Sequence, residues 1–274
     1  MSIFQAILLG VVQGLTEFLP VSSSGHLVIF QRLMGISENV PFDLLLHLAT
    51  VLAVIIYFAR DIWELIVGWT LGTLEAFKIL RTQAYVLGQH FRLSWLIIIA
   101  SIPTGLMGIF FKDFFEGLFS SAFAVGCFLL LTAAIILVAE WFGRPKKDEF
   151  QIGFLDAILI GLGQGCAIAP GLSRSGTTVS VALLRGLKRD FAARFSFLLS
   201  VPAILGAGVF KAADLVEAGA TGVSIWPFLA GFLAALVSGM LAIKIFLQII
   251  QRTSIRAFAY YCIVAGVLVM VWLR

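Results

Sequence analysis

Six apolar stretches, each about as long as a membrane-spanning helix, constrain this chain more than any other feature of its sequence. A helix needs roughly 20 largely apolar residues to cross the hydrocarbon core of a bilayer. The six stretches are residues 42–59, 93–111, 121–142, 195–210, 227–249 and 257–273. Of the 274 residues, 61% are hydrophobic and 12% are charged, whereas about 25% are charged in soluble domains. The sequence predicts an all-α, polytopic membrane protein and excludes a disordered chain, a nucleic-acid-binding protein and a secreted disulfide scaffold.

Two further apolar segments are interrupted near their centres. Each consists of a short apolar arm, a centre rich in Pro, Gly and Ser, and a second short arm. The arms are residues 3–12 and 27–33 in the first segment and 152–163 and 179–184 in the second. Because no arm is long enough to span, and irregular backbone at membrane depth needs protein or water to satisfy it, the pattern predicts two re-entrant helical hairpins. The charged stretch 61–80 is interpreted as an interfacial or loosely packed helix.

Positive charge is shared unequally among the loops. Loops with three or four Lys and Arg residues are 60–92, 143–150, 185–194 and 244–256, and loops with one are 112–120 and 211–226. With six spans and two hairpins, every rich loop falls on one side, which the positive-inside rule makes cytoplasmic. Both termini are then expected outside, and the two hairpins enter from opposite sides. This placement accounts for the net charge of +4 without a nucleic-acid partner.

An internal repeat relates the two halves of the chain. Residues 6–10 match residues 157–161, and at the same offset of 151 Gln13-Gly14 matches Gln164-Gly165 and Ser24-Gly25 matches Ser175-Gly176. The halves, about 1–145 and 146–274, form a single membrane domain in which each half has one hairpin and about three spans. An odd number of spans inverts the second half relative to the first, and inverted repeats with broken helices bring their polar centres together near the midplane. We therefore expect the two hairpins to build one site.

One ionisable residue of each hairpin is expected at membrane depth. Glu17 belongs to the first hairpin and Arg174 to the second, and each charge costs roughly 2.5–3.5 kcal/mol on insertion scales unless it has a partner or a role. A structural ion pair is one interpretation. The hydroxyl groups that surround both residues in the sequence favour a functional site.

The centre of each hairpin is a serine-rich turn that opens a helix. Free N–H groups and the positive end of the helix dipole favour a phosphate at such a turn, although the serines could instead only cap the helices. The phosphate-binding candidates are Ser22, Gly25, Ser173, Ser175, Gly176 and Thr178. The planar donor fork of Arg174 suits phosphate oxygens, and His26 can serve as base, acid or nucleophile. A phosphate head on a hydrocarbon tail would fit both this site and the membrane.

A divalent cation is a further expectation. Gln13 and Glu17 are four residues apart and project from one helix face. The carboxylate of Glu17 and the amide oxygen of Gln13 are hard ligands of the kind that Mg²⁺ and Ca²⁺ accept. Glu17, Ser23, His26 and Arg174 are the catalytic candidates, in a set that suits phosphoryl transfer.

Two motifs make the chain similar to a known family. QGLTEFLPVSSSGH at 13–26 and PGLSRSGTT at 170–178 resemble the signatures of the undecaprenyl-diphosphate phosphatase family, also called bacitracin-resistance proteins. The resemblance implies a bacterial inner-membrane enzyme that converts undecaprenyl diphosphate to the monophosphate carrier lipid of cell-wall synthesis. It also implies a divalent cation, an active site facing the periplasm, and homodimers. Two positions depart from the family pattern, since Gln13 is often Glu and Ser24 is often Thr.

The sequence leaves mechanism and alternatives open. Either Ser23 attacks the terminal phosphorus with His26 as its base, or His26 attacks directly. Inverted repeats and broken helices are also typical of transporters, so a flippase for a phosphorylated polyprenyl lipid is the main alternative function. The acid phosphatase superfamily shares only the Ser-Gly-His of residues 24–26 and lacks its other motifs here.

Overall fold

The chain is a bundle of helices. The computed structural model describes residues 1–36, 39–77, 85–119, 121–217 and 225–272, and in it the side chains of 85–87 and 210–217 are not described. Over these ranges there is no strand, and the helices are α1 Ile3–Phe18, α2 Ser23–Leu33, α3 Val40–Tyr57, α4 Ala59–Ala76, α5 Tyr85–Phe110, α6 Lys112–Phe119, α7 Ala122–Phe142, α8 Phe154–Cys166, α9 Arg174–Leu184, α10 Arg189–Glu217, α11 Ile225–Arg252 and α12 Arg256–Trp272. Three of the loop charges counted above lie outside the described part of the structure. They are Lys78, Arg81 and the side chain of Lys211.

Among the residues that the structure describes, five helices are long and apolar enough to cross a membrane. They include Val40–Tyr57, Gly88–Phe110, Ala122–Phe142, Arg189–Val209 and Ile225–Arg252. The sixth expected span is α12, an apolar helix of 17 residues. The all-α, polytopic membrane architecture predicted from the sequence is confirmed.

The first hairpin consists of α1 and α2, and the placement of Gln13 and Glu17 on one helix face is confirmed. Gln13 and Glu17 continue α1 as part of its buried face, because residues four apart share a face and both turn inwards. The helix ends where Pro20 disfavours helical geometry for the residue before it, and Leu19 is accordingly extended at φ −72° and ψ 143°. Ser22, in the left-handed region at φ 71°, completes the turn.

The second hairpin, α8 and α9, has the same local hydrogen bonds as the first. Ser22 Oγ accepts from the Gly25 N–H at 3.4 Å, and Ser173 Oγ accepts from the Gly176 N–H at 3.1 Å. The break lies between Cys166 and Arg174. Both expected helix–turn–helix segments are therefore present, each with a serine at the start of its second helix.

Each hairpin packs its first arm on a long helix of the other half. Helix α1 lies against α11, and α8 lies against α5. A Cβ atom at Gly14 would be 2.0 Å from Ser238 Oγ, and one at Gly161 would be 2.0 Å from the Ala100 carbonyl oxygen. Small residues drive helix association in lipid by permitting such close approach, so these glycines position both hairpins.

The loops rich in positive charge meet at one end of the bundle. Glu140 accepts from both terminal nitrogens of Arg189 at 2.8 and 2.9 Å, and Asp156 accepts from Arg185 at 2.7 Å. Arg194 also pairs with Asp61 at the start of α4. Gly68 is the only described α4 residue that is buried, in agreement with the loosely packed helix expected there.

Candidate active site

An ion pair joins the two hairpins. Arg174 Nη2, at the start of α9, donates to Glu17 Oε1, at the end of α1, at 2.5 Å. The side chains are 14% and 5% exposed, respectively. The two ionisable residues that the sequence singled out therefore meet, 157 positions apart in the chain.

Glu17 also collects the polar side chains around it. Its Oε2 atom accepts from Ser23 Oγ at 2.7 Å and from Gln13 Nε2 at 2.9 Å. His47 Nε2 lies 3.9 Å from the same oxygen. Since a buried carboxylate needs hydrogen bonds and an opposite charge, Glu17 is the centre of this cluster.

The hydroxyl groups of the second hairpin mainly hold Arg174 in place. Thr178 Oγ1 donates to the Arg174 carbonyl oxygen at 2.8 Å and lies 2.5 Å from Ser196 Oγ. Ser175 Oγ donates to the Leu19 carbonyl oxygen at 3.1 Å, which links the second hairpin to the turn of the first. These contacts fix the backbone at Arg174, from which the guanidinium group extends to Glu17.

Ser22 and Ser173 act as helix caps, so the capping interpretation holds for these two hydroxyls. The Gly25 and Gly176 N–H groups donate to them. Ser22 holds a backbone conformation that costs of order 1 kcal/mol or more in a non-glycine residue. Such strain is typical of functional turns, and phosphate binding by the two turns stays a prediction.

His26 is held by partners other than Ser23. Its Nδ1 atom lies 2.7 Å from the Ser22 carbonyl oxygen, and its Nε2 atom lies 2.6 Å from the Tyr261 hydroxyl oxygen. The Ser23 hydroxyl donates to Glu17. The structure thus gives Ser23 a carboxylate partner where the sequence pointed to His26.

Three residues contact the candidate site although the sequence does not assign them to it. His47, in α3, lies beside Glu17, with its Nε2 atom 3.9 Å from Oε2. Tyr261 and Ser196 sit in long apolar helices, where a single polar atom gives no signal of what it faces.

The oxygen atoms around Glu17 suit a hard divalent cation. Gln13 is 0% exposed, and its Oε1 atom has no hydrogen-bond partner. Proteins usually bind Mg²⁺ through one or two carboxylates, and water and substrate phosphates complete its coordination. The Glu17 carboxylate, with the amide oxygen of Gln13 beside it, offers oxygen ligands of this kind. Gln13 and Glu17 are therefore of the right chemical type to bind a divalent cation. Within the described ranges no cluster of three or more His, Cys, Asp or Glu suits a metal.

Comparison with known proteins identifies the family. The sequence profile described as "Bacitracin resistance protein BacA" matches residues 6–268. The chain belongs to the BacA family. Its relatives include the undecaprenyl-diphosphatase of Methanobrevibacter smithii, 44% identical over 98% of this chain and 97% of that protein. The undecaprenyl-diphosphatases of Carboxydothermus hydrogenoformans (44% identical, 99% and 97% covered) and Bacteroides fragilis (40%, 98% and 97%) are similar over the same extent.

Proposed function

We propose that this BacA-family protein is an integral-membrane phosphatase that hydrolyses undecaprenyl diphosphate to undecaprenyl phosphate and inorganic phosphate. The activity would recycle the carrier lipid of cell-wall synthesis and confer bacitracin resistance. The relatives that match nearly the whole chain are named for this activity. The observation that carries the proposal is the contact series Ser23–Glu17–Arg174, in which a hydroxyl, a carboxylate that can act as a base and a guanidinium that can bind phosphate meet at the junction of the hairpins.

In the first step, Ser23 Oγ attacks the terminal phosphorus. Its proton passes to Glu17, 2.7 Å away, while the bond from phosphorus to the bridging oxygen breaks and undecaprenyl phosphate leaves. Arg174 uses one of its five N–H donors on Glu17, and others can bind the phosphoryl oxygens. In the second step, water attacks the phosphoserine, Ser23 Oγ recovers the proton from Glu17, and inorganic phosphate is released.

Glu17 and Gln13 would hold the divalent cation, Mg²⁺ or Ca²⁺. Bound there, the ion would neutralise diphosphate charge, which is the main electrostatic demand of phosphoryl transfer. Glu17 keeps its orientation through Arg174, and Gln13 keeps its own through the 2.9 Å bond to Glu17.

The orientation follows from charge. Loops rich in Lys and Arg gather at one end, and by the positive-inside rule that end is cytoplasmic. The first hairpin then opens towards the outside, so the diphosphate would reach Glu17 from the periplasmic face of a bacterial inner membrane while its hydrocarbon tail stays in the bilayer. Both termini would lie outside in this arrangement. The homodimer that the family resemblance implies is part of the same proposal.

Phosphate release from a polyprenyl diphosphate in detergent, with Mg²⁺ or Ca²⁺, tests the proposal. We expect metal-dependent release by the wild type and its loss in Glu17→Ala and Arg174→Ala. Folded wild-type protein that binds the lipid and releases no phosphate would contradict the enzyme and favour the flippase.

The same variants identify the nucleophile. Phosphoserine survives acid quenching, whereas phosphohistidine is hydrolysed in acid and survives alkali. We expect an acid-stable phosphoenzyme that is absent from Ser23→Ala and still forms, more slowly, in His26→Ala. An alkali-stable, acid-labile adduct lost in His26→Ala would instead make His26 the nucleophile.

A further inference from the structure

Tyr261 makes a hydrogen bond that no motif of the sequence anticipates. Its hydroxyl oxygen lies 2.6 Å from His26 Nε2, between residues 235 positions apart. The two rings are nearly parallel, with an angle of 14° and a centroid distance of 5.6 Å. The phenol therefore meets the imidazole at its edge, where the Nε2 atom lies.

The partners of His26 determine which nitrogen carries the proton. Nδ1 lies 2.7 Å from the Ser22 carbonyl oxygen, which can only accept, so Nδ1 must carry a hydrogen. In the neutral imidazole Nε2 is then an acceptor, and the Tyr261 hydroxyl is its donor. Both nitrogens are thus held, and the ring cannot rotate without breaking a hydrogen bond.

Helix α12 places Tyr261 against the turn of the first hairpin. The neighbouring Cys262 thiol donates to the Pro20 carbonyl oxygen at 3.5 Å, so α12 contacts the turn on both sides of Ser22. Tyr261 is 48% exposed at the outer surface of the bundle, while His26 behind it is 5% exposed. The tyrosine therefore covers the Nε2 atom from the outer surface of the bundle.

We infer that Tyr261 is a positioning residue for His26. Its hydroxyl keeps His26 in the Nδ1–H tautomer, with the Nε2 lone pair directed to α12. Partners that fix the tautomer and orientation of a metal-bound histidine typically matter by about 10–100-fold, and we expect the lower end of that range for His26. The catalytic part of this inference rests on the proposed phosphatase function and on a contribution of His26 to it as base, acid or nucleophile, whereas the hydrogen bond and its effect on His26 do not.

Chemical labelling tests the contact without any assay of activity. Diethyl pyrocarbonate acylates an unprotonated imidazole nitrogen, and mass spectrometry reads each site. The chain has three histidines, so His47 and His90 are internal standards. We expect Tyr261→Phe to raise the labelling rate of His26 by about fivefold, the factor of one neutral hydrogen bond, and Tyr261→Ala to raise it further. Tyr260→Phe, an exposed neighbour, is the matched control. A wild-type rate at His26 in both Tyr261 variants would overturn the inference.

Kinetics then test the role in catalysis. Tyr261→Phe should lower kcat by about tenfold or more with KM unchanged, and it should have no further effect when His26 is already Ala. Equal effects of Tyr261→Phe in the two backgrounds would overturn the positioning role. If the wild type shows no phosphatase activity but the labelling result holds, the proposed function fails and the Tyr261–His26 contact stands.

Discussion

At the scale of single residues, the carboxylate of Glu17 organises the candidate active site. It accepts hydrogen bonds from Arg174, Ser23 and Gln13, and a buried charge with fewer partners would be costly. Each partner donates through a different kind of group: Arg174 through its guanidinium, Ser23 through its hydroxyl and Gln13 through its amide. Substitutions of these partners should therefore have separable effects.

Ser23→Ala should abolish turnover, whereas Ser24→Ala should not. Loss of a nucleophile typically lowers kcat by at least about 1000-fold, and Ser23 is the hydroxyl that contacts Glu17. The Ser24 hydroxyl lies 3.4 Å from Ser22 Oγ instead, so Ser24→Ala serves as the matched control in the phosphate-release assay. Comparable losses in both variants would show that the turn as a whole, rather than the Ser23 oxygen, is required.

Gln13→Glu should tighten the binding of the divalent cation. The unpartnered, buried Oε1 atom of Gln13 would become part of a second carboxylate beside Glu17, and ligand charge raises cation affinity. We expect the Mg²⁺ or Ca²⁺ concentration for half-maximal phosphate release to fall by about tenfold. Gln164→Glu, at the matching position of the other hairpin, is the control, and an unchanged metal dependence in Gln13→Glu would argue against a ligand role for Gln13.

At the scale of elements, close contact between small residues decides where the hairpins sit. Helix α8 approaches α5 so closely that a Cβ atom at Gly161 would meet the Ala100 carbonyl oxygen and backbone. Thr104 Oγ1 donates to the Gly161 carbonyl oxygen at 3.1 Å across the same contact. The position of Arg174 depends on this contact, because α8 and α9 form one hairpin.

Gly161→Ala should therefore destabilise the fold. Overpacking typically costs about 1–3 kcal/mol, which we expect as a lowered thermal unfolding temperature in detergent. Gly105→Ala in α5 is the control, since a Cβ atom there meets nothing within 4 Å. A Gly161→Ala protein as stable as Gly105→Ala would mean that the two helices can separate at little cost.

At the scale of the whole molecule, the charged loops form one end and the apolar helices form the body. Arg92 donates to the carbonyl oxygens of Phe150 and Ile152, and Ser254 donates to Glu140 at 2.8 Å. Together with the Arg189–Glu140 and Arg194–Asp61 pairs, these contacts join the four loops rich in Lys and Arg. The inversion of the two halves and the homodimer stay predictions.

Cysteine labelling in intact cells tests the orientation. In a variant whose three cysteines are replaced, Ser2→Cys should react with a membrane-impermeant maleimide from outside. Lys146→Cys should react only after the membrane is opened, because loops rich in Lys and Arg stay cytoplasmic. Both positions are exposed. Labelling of Lys146→Cys in intact cells, with Ser2→Cys protected, would invert the proposed topology.

The sequence by itself determined the features that depend on local composition. The lengths of the apolar stretches predicted the spans, Pro20 and the serines predicted the breaks, and the cost of charge at membrane depth predicted that Glu17 and Arg174 belong to one site. The spacing of Gln13 and Glu17 predicted that both project from one face of a helix, as they do in α1.

Only the tertiary structure decided which polar groups touch. Ser23 donates to Glu17 rather than to His26, and His26 meets Tyr261 from the far end of the chain. Such contacts depend on how each helix is rotated and shifted along its neighbours. A membrane helix is apolar on most of its surface, so its hydrophobic pattern does not specify that rotation, and close packing of residues such as Gly14 and Gly161 specifies it instead.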